Sequence, residues 1–364
     1  MFLDSFNRFF FRLFPIPKFL VTSSFGLDIS DESLKFVELI ATNNGIKLGK
    51  YGERKIPIGI IEAGKIKDSK GLENVLTTLR KEEGIKFVRV SLPEEQVYLF
   101  KLNLDKAGLI NVREGIELSL EEHIPIQAQE AIFDYETLKE DDQKLALQIG
   151  AIPQNIIENY LLVFRNSLIS VQSFELEAQA ISRSVIKKGD KGTYMIVDFG
   201  RTRAGIFIIS EGVAVFTSTL NLGGDMLTGM IKKNFNVTTE EAEQMKKKFG
   251  LQRNSDNREI FSVLLNSVSV LRDEMMKNLL YWQTHKDEYG KDHPPVEKIL
   301  LTGGDANLIG LAEYFSISTK NKVEVGNVWT NITDTGNSTP EITFNKSLTF
   351  AAALGLALGD FEYD

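Results

Sequence analysis

The chain has 364 residues, 43% of them hydrophobic, so it is long enough to form two or more compact units with separate cores. It contains no cysteine, which excludes disulfides, thiolate metal sites and a cysteine nucleophile. Its 42 basic and 50 acidic residues give a formal charge of -8, and the basic residues are spread along the chain, so we expect no nucleic-acid partner.

Residues 1–24 have the pattern of an amphipathic helix followed by prolines. Bulky apolar residues recur in it at helical spacing: Phe2, Phe6, Phe9 and Leu13. Arginines on the opposite face suit contact of residues 2–14 with anionic lipid headgroups. A helix docked on a protein partner or on its own domain has the same pattern, and the sequence leaves both interpretations open. Beyond this segment, no apolar run has the length of a membrane span, so we expect a soluble or peripheral protein.

The next segment, residues 25–92, predicts a three-stranded meander followed by a helix and a strand. The predicted strands are Phe25–Ile29, Leu34–Ile40, Ile46–Ile56 and Phe87–Leu92, and the predicted helix is Ser69–Glu82.

Residues 93–166 predict a compact α+β insertion. Its predicted elements are strand Gln96–Asn103, helix Val112–His123, strands Ile132–Leu138 and Leu145–Ile152, and helix Pro153–Asn166. A helix over Glu177–Lys187 and a linker follow.

A second meander then repeats the first. It has predicted strands Thr193–Asp198, Ala204–Ser210 and Val213–Leu220, helices Met226–Asn234, Thr239–Phe249 and Arg258–Thr284, strand Lys298–Thr302, a helix from Asn307 and a closing helix Ser347–Leu358. In both meanders an aspartate, Asp28 or Asp198, ends a buried strand before a tight turn. This duplication predicts twin lobes with a ligand cleft between them.

Three turns carry residues suited to a nucleotide. The first offers Asp28, Ser30, Ser33 and Lys35, which together supply hydroxyls, a cation and a carboxylate for a hydrated metal ion. The second offers Asp198, Gly200 and Thr202 in the same pattern, and the third offers Gly303, Gly304 and Asn307 at a strand-to-helix junction. Taken singly, each is also compatible with an ordinary turn or helix cap.

In this order, the three turns resemble the phosphate-1, phosphate-2 and adenosine motifs of the actin-like ATPase superfamily. Residues 222–228 (LGGDMLT) and 239–246 (TEEAEQMK) are similar to a pattern shared by FtsA and PilM. The opening at residues 26–39 and the insertion resemble the PilM family of type IV pilus assembly proteins, and the similarity spans roughly residues 25–360.

The resemblance implies an α/β, duplicated actin-like (ribonuclease H-like) ATPase fold, with two lobes around a nucleotide cleft and an inserted α+β subdomain in the first lobe. The implied division is 25–92 and 167–191 for the first lobe, 93–166 for the inserted subdomain, 192–230 and 298–364 for the second lobe, and 231–297 for a helical subdomain.

The resemblance also implies ATP and Mg²⁺ as cofactors, with Asp28 and Asp198 holding the metal through water. Further implied nucleotide contacts are Gly223, Gly224 and Asp225, with Glu243 and Lys246 flanking the ribose and base. Without the resemblance, the last two form an ordinary i,i+3 ion pair. Glu177 is the candidate for positioning a catalytic water, or else a glutamate favoured by the helix dipole.

The implied function is an ATP-binding cytoplasmic scaffold, peripheral at the inner membrane, that tethers the cytoplasmic tail of a PilN-like membrane protein. Hydrolysis is expected to be slow or absent, and a homo-oligomer is possible. An FtsA-like filament-forming protein is the alternative, but its membrane anchor lies at the C-terminus, where this chain has the acidic residues 358–364. A sugar-kinase-like enzyme would need an acceptor pocket, for which we find no pattern.

Overall fold

The computed structural model describes residues 23–42, 45–107, 111–252, 257–286, 291–332 and 341–361. The predicted amphipathic helix, the middle of the predicted turn at residues 43–45 and the end of the acidic tail lie outside the described residues. Among the residues that are described, no helix combines the length and apolarity needed to cross a bilayer.

The first half of the chain contains ten strands and four helices within the described ranges. They are β1 Phe25–Ile29, β2 Ser33–Thr42, β3 Gly45–Lys55, β4 Ile61–Glu62, β5 Lys65–Ile66, α1 Ser69–Glu83, β6 Phe87–Leu92, β7 Tyr98–Asp105, α2 Val112–His123, β8 Ala131–Glu140, β9 Lys144–Pro153, α3 Gln154–Asn166, β10 Ser170–Leu176 and α4 Glu177–Val185.

The second half of the described chain continues with five strands and six helices. They are β11 Thr193–Phe199, β12 Ala204–Ser210, β13 Val213–Leu220, α5 Gly224–Phe235, α6 Thr239–Phe249, α7 Arg258–Thr284, β14 Lys298–Thr302, α8 Leu311–Thr319, β15 Val323–Val325, α9 Phe344–Ser347 and α10 Ala351–Leu358.

The two large sheets have the same topology. The first has the order β3-β2-β1-β6-β10 and the second has the order β13-β12-β11-β14-β15. In each sheet the central strand is antiparallel to the meander strand beside it and parallel to the strand on its other side. The duplication that the two aspartate turns predicted is therefore a duplication of the whole sheet.

Helices α4 and α10 pack tightly against each other between the sheets. A Cβ on Gly355 of α10 would lie 1.6 Å from the carbonyl oxygen of Ala180 in α4. On the other side of α10, a Cβ on Gly26 would lie 2.0 Å from the carbonyl oxygen of Ala353. Glycine at these positions lets the backbones of α4, α10 and β1 touch, and this contact joins the two lobes.

The inserted subdomain has a core of its own, formed by the sheet β7-β9-β8 and helix α2. Helix α3, which we assigned to the insertion, instead buries Ile156, Tyr160 and Phe164 in the core of the first lobe. Its apolar face fits against α1, so this helix belongs to the first lobe by packing.

Three sequence predictions are corrected by the structure. Strand β10 was missed because its residues alternate weakly and include polar ones. The helix expected from Asn307 begins at Leu311, since residues 304–307 form a 3₁₀ turn and Gly310 adopts a φ of 79°. The closing helix over 347–358 is divided into α9, a 3₁₀ turn and α10.

The contact between α4 and α10 predicts the effect of a methyl group at Gly355. Gly355→Ala should lower the free energy of unfolding by about 1–3 kcal/mol, because the added Cβ pushes the two helices apart. Gly229→Ala is the matched control, since it lies in helix α5 with open space around it and should stabilise by roughly 0.5–1 kcal/mol. Urea unfolding of both variants measures the difference, and an equal effect of the two substitutions would contradict this packing.

Candidate functional site

A cleft of about 1150 Å³ lies between the two lobes. All of the predicted site residues line it except Gly223 and Gly224. Its walls come from the turns after β1 and β11, the 3₁₀ turn after β14, and the starts of α4 and α10. These elements meet because the carboxyl ends of both central strands point into the space between the lobes.

The first turn presents hydroxyls and one cation to the cleft. The Ser30 amide donates to the Ser33 carbonyl at 2.8 Å, and the two side-chain hydroxyls lie 3.0 Å apart. Lys35, opposite Asp28 across the β1–β2 pair, donates to the Ser33 hydroxyl at 3.1 Å and lies 3.8 Å from the Asp28 carboxylate. The turn thus holds its ammonium and hydroxyl groups in one small cluster.

The two aspartates are held in the same way in both lobes. Ser91 donates to Asp28 at 2.9 Å, and Thr302 donates to Asp198 at 2.8 Å. Each hydroxyl lies on the parallel strand beside the central one, β6 or β14. Burial raises the pKa of Asp198, and the nearby Asp28 raises it further. Neither hydroxyl was predicted as part of the site, although Ser91 and Thr302 lie within the last two residues of their predicted strands.

The second turn is supported from behind by the two glycines that do not line the cleft. The Gly200 amide donates to the Arg203 carbonyl at 3.0 Å, and the Gly224 amide donates to the Gly200 carbonyl at 3.0 Å. A Cβ on Gly223 would lie 2.3 Å from the Arg201 carbonyl oxygen. Gly223 and Gly224 therefore allow the second turn to pack against the start of α5.

Arg201 links the two lobes at the mouth of the cleft. Its guanidinium lies 3.0 Å from Asp225 in its own lobe and 3.7 Å from Glu32 in the first turn. The arginine is 65% exposed, so the link is screened by water and weak.

Lys246 forms a buried cluster beside the third turn. Its ammonium lies 2.7 Å from Asp305 and 2.9 Å from Glu243, and it donates to the Gly224 carbonyl at 3.2 Å. Burial alone would lower the pKa of Lys246, but the two carboxylates more than offset it and raise that pKa. All three donors of the ammonium are used within the protein. Asp305, which the sequence analysis did not select, is as central to the cluster as the predicted pair.

The third turn brings backbone close to the cleft wall. Gly303 adopts a φ of 88°, and a Cβ there would lie 2.4 Å from the Phe199 carbonyl oxygen. Gly304 and Asn307 also line the cleft, and the Asn307 side chain donates to the Asn345 carbonyl at 2.7 Å. The turn therefore lines the cleft with two residues that carry no side chain.

Glu177 begins α4 at the bottom of the cleft and is paired with Arg203 of the second lobe at 3.4 Å. Burial raises the pKa of Glu177 well above its ordinary range, and Asp28 and Asp198 add to this although Arg203 opposes it. The other end of the Arg203 guanidinium pairs with Glu95. The candidate catalytic carboxylate is thus engaged in an ion pair.

Glu94 lies beside this group of charges and is 4% exposed. Its two carboxyl oxygens make no hydrogen bond of normal geometry within the described structure. Burial raises the pKa of Glu94 to about 7, against partial offsets from the amides of Ala178 and Glu177, the Thr217 hydroxyl and the charge of Arg203.

The donor set of the cleft fits a nucleotide with a magnesium ion. Asp28 and Asp198 supply only oxygen ligands, which Mg²⁺ prefers, and they leave room for water and phosphate oxygens in the coordination sphere. Lys35 and the amides of the first and second turns suit the phosphates of a nucleotide. A bound Mg²⁺ would offset the repulsion between these carboxylates and a polyphosphate.

Two lobes of duplicated topology around such a cleft define the class of actin-like ATPase folds. Solved structures confirm the predicted fold. MreB5 of Spiroplasma citri bound to ADP is 15% identical and matches 93% of this chain and 95% of its own at a TM-score of 0.53. The ethanolamine utilization protein EutJ from Carboxydothermus hydrogenoformans is 17% identical and matches 94% and 91% at a TM-score of 0.53.

Residues 26–361 match the family described as type IV pilus assembly protein PilM, and the chain therefore belongs to the PilM family. A solved PilM-PilN type IV pilus biogenesis complex contains a chain that is 21% identical, covers 94% of this chain and 99% of its own, and superposes at a TM-score of 0.77. The predicted family is confirmed, and with it a role in type IV pilus assembly.

The buried Lys246 cluster predicts very different costs for two adjacent lysines. Lys246→Ala should lower the free energy of unfolding by about 3–5 kcal/mol, because Asp305, whose side chain is only 14% exposed, is left without its cation. Lys247→Ala, at an ammonium that is 73% exposed and also pairs with Glu243, should change it by less than about 0.5 kcal/mol. Denaturant unfolding at neutral pH measures both, and a Lys246 variant as stable as the Lys247 variant would show that the cluster contributes little.

Glu94 predicts a pH dependence of stability. Its folded pKa is raised to about 7 from an ordinary value of 4.5, so its contribution to stability is fully present below the lower value and is lost as the pH rises through the higher one. As the pH rises from about 5 to about 8, the free energy of unfolding of Glu94→Gln should increase by about 2 kcal/mol relative to that of the wild type. Glu122→Gln, an exposed carboxylate, serves as the control and should show no such trend. A gain that is constant with pH would contradict the shifted pKa.

Proposed function

We propose that the cleft binds ATP with Mg²⁺ and that the bound nucleotide governs how this chain holds its partner in the type IV pilus machinery. The observation that supports the proposal best is the pair of buried aspartates, one at the end of each central strand, each fixed by a hydroxyl from the neighbouring strand. Such fixed carboxylates leave oxygens to hold the ion's water ligands without reorganising.

In this proposal, both lobes contribute contacts to the nucleotide. Ser30, Ser33 and Lys35 would contact the terminal phosphates from the first lobe, and the amides around Gly200 and Thr202 would contact them from the second. Gly303 and Gly304 would pack against the ribose or base, with Glu243 at its edge. The floor also carries Asp28, Asp198 and Glu177, so free polyphosphate is repelled and the metal ion is required for binding.

Hydrolysis by this site is slow or absent in our proposal. In-line attack on a terminal phosphate needs a group that orients a water molecule. Glu177 is placed at the bottom of the cleft, but its pairing with Arg203 at 3.4 Å and its raised pKa both weaken it as an acceptor for that water. The bound nucleotide would then serve as a conformational ligand.

The partner we propose is the cytoplasmic tail of a PilN-like membrane protein, because the structure of a similar chain is that of a PilM-PilN complex. The inserted subdomain, with its separate core, is proposed to present the groove for this tail on the cytoplasmic side of the inner membrane. Residues 2–14 are proposed as an additional contact with the membrane surface, and self-association of the chain would multiply both contacts.

Calorimetric titration with ATP tests the proposal. We expect binding in the presence of Mg²⁺ and none with a chelator, and Asp198→Asn should weaken binding at least about tenfold while keeping the acceptor for Thr302. Asp273→Asn, an exposed carboxylate on α7, should bind as the wild type does. A peptide with the sequence of the PilN-like tail should bind the wild type, and also the Asp198 variant.

Two outcomes would overturn different parts of this proposal. Failure of the wild type to bind any nucleotide would reject the cleft as a nucleotide site but leave the peptide result to decide the scaffold role. Normal nucleotide binding without peptide binding would reject the partner.

A further inference from the structure

Arg203 joins three segments that belong to three different parts of the molecule. It ends the second turn, which belongs to the second lobe, and it lines the cleft. One side of its guanidinium pairs with Glu177 at the start of α4. The other side pairs with Glu95, in the 3₁₀ turn Glu94–Gln96 where the chain leaves the first lobe for the inserted subdomain.

The inserted subdomain is therefore attached to both lobes. The chain connects it to the first lobe, whereas its noncovalent contacts reach the second lobe. Strand β7 and the 3₁₀ turn lie against β13. The Lys101 ammonium of β7 lies 5.5 Å from the ring centre of Trp282 in α7. The core of the subdomain is separate from the cores of both lobes, so these surface contacts decide its position relative to the second lobe.

Charge makes the Arg203 contact decisive for that position. The Glu95 side chain is only 17% exposed, and its second carboxylate oxygen is buried and makes no hydrogen bond within the described structure. Both oxygens of the adjacent Glu94 are in the same condition. A buried carboxylate that loses its cation is strongly disfavoured. If Arg203 turned to another anion, the 3₁₀ turn would have to move until Glu95 reached water.

A polyphosphate in the cleft is such an anion. The planar guanidinium pairs with phosphate oxygens as readily as with carboxylates, and Arg203 directly follows Thr202 in the second turn. We propose that Arg203 is a positioning residue that exchanges Glu95 for the phosphates of the nucleotide, and that this exchange releases the inserted subdomain from the second lobe. The inference rests on the proposed function, because it needs a nucleotide in the cleft.

The exchange links two equilibria and is reciprocal. Nucleotide binding weakens the contact between the inserted subdomain and the second lobe. In return, any change that weakens that contact should favour nucleotide binding. A partner seated on the inserted subdomain would therefore sense the nucleotide without touching it.

Distance measurements on the full chain test the inference. Because the chain has no cysteine, spin labels can be placed at will on introduced ones. Leu118→Cys on α2 of the inserted subdomain and Ile317→Cys on α8 of the second lobe are 80% and 73% exposed before substitution. A second pair, Ile58→Cys with Ile317→Cys, reports on the two lobes alone. Double electron–electron resonance then gives the distribution of distances between the two labels of each pair.

The first comparison needs no nucleotide. Glu95→Gln removes the charge that holds Arg203 and lies outside the cleft lining. We expect it to broaden the distribution of distances between the labels at residues 118 and 317 (the 118–317 distribution). The distribution of distances between residues 58 and 317 (the 58–317 distribution) should stay unchanged. Glu122→Gln, the same change at an exposed position of the same subdomain, should behave as the wild type. Identical 118–317 distributions for Glu95→Gln and the wild type would overturn the inference, whatever the cleft binds.

The second comparison adds ATP and Mg²⁺. In the wild type and in Glu122→Gln, the 118–317 distribution should change to that of the nucleotide-free Glu95→Gln variant, which itself should not change further. A wild type that binds ATP by calorimetry but keeps its 118–317 distribution would refute the exchange while leaving the proposed function intact. Absence of ATP binding by calorimetry would reject the proposed function and, with it, the nucleotide half of the inference.

Discussion

The backbone contact between α4 and α10 sets the distance between the two sheets, and the cleft depends on that distance. With glycine at residue 355, α10 approaches the carbonyl of Ala180 more closely than any side chain would allow. The same two helices place the start of α4, with Glu177, and Ala351 and Ala352 of α10 in the cleft wall. A wider spacing would separate the aspartates that face each other from the two lobes. The site is thus a consequence of packing between glycine and alanine backbones.

The balance of charge in the cleft explains why the site suits a metal-bound polyphosphate. Three buried or nearly buried carboxylates, Asp28, Asp198 and Glu177, share the floor with the cations of Lys35 and Arg203. Burial raises the pKa of Asp198 and Glu177, and the neighbouring carboxylates raise it further, because three carboxylates share this floor with two cations. In the function proposed above, a divalent cation would relieve this excess of negative charge, and phosphates would occupy the remaining positions around the ion.

Much of the fold was predictable because its strands and helices carry clear periodicity. Helix α2 and strands β12 and β13 have the predicted bounds, and the paired aspartate turns correctly indicated a duplication. Strand β10 was not predictable from its own residues, since Ser173 and Glu175 are polar. They are compatible with the sheet because Arg89, which is distant in sequence, and Arg183 pair with Glu175 at 3.1 and 2.8 Å.

The predicted residues of the candidate site lie together for the same reason, because the ends of repeated strands are visible in the sequence. Partners that only the tertiary structure brings together could not be predicted from the sequence. Asp305 follows a recognised glycine pair, but nothing local shows that it faces Lys246. The role of α3 was also hidden, because an amphipathic helix does not reveal which of two neighbouring cores its apolar face will join.

The distribution of apolar and polar contacts decides which parts of the molecule can move. The inserted subdomain buries an apolar cluster of its own, so its internal structure does not depend on its position relative to the lobes. The two lobes are joined more closely, because the apolar cluster of the second lobe also contains Val37 and Ile181 of the first lobe. Around the cleft, ion pairs also reach across: Arg201 with Glu32 at the mouth, and Arg203 with Glu177 and Glu95 at the bottom. An ion pair at a boundary loses much of its energy when a competing anion arrives, whereas an apolar core would not respond to one. A charged ligand entering between the lobes therefore acts on these ion pairs, while the apolar contact between α4 and α10 and the separate core of the inserted subdomain stay intact.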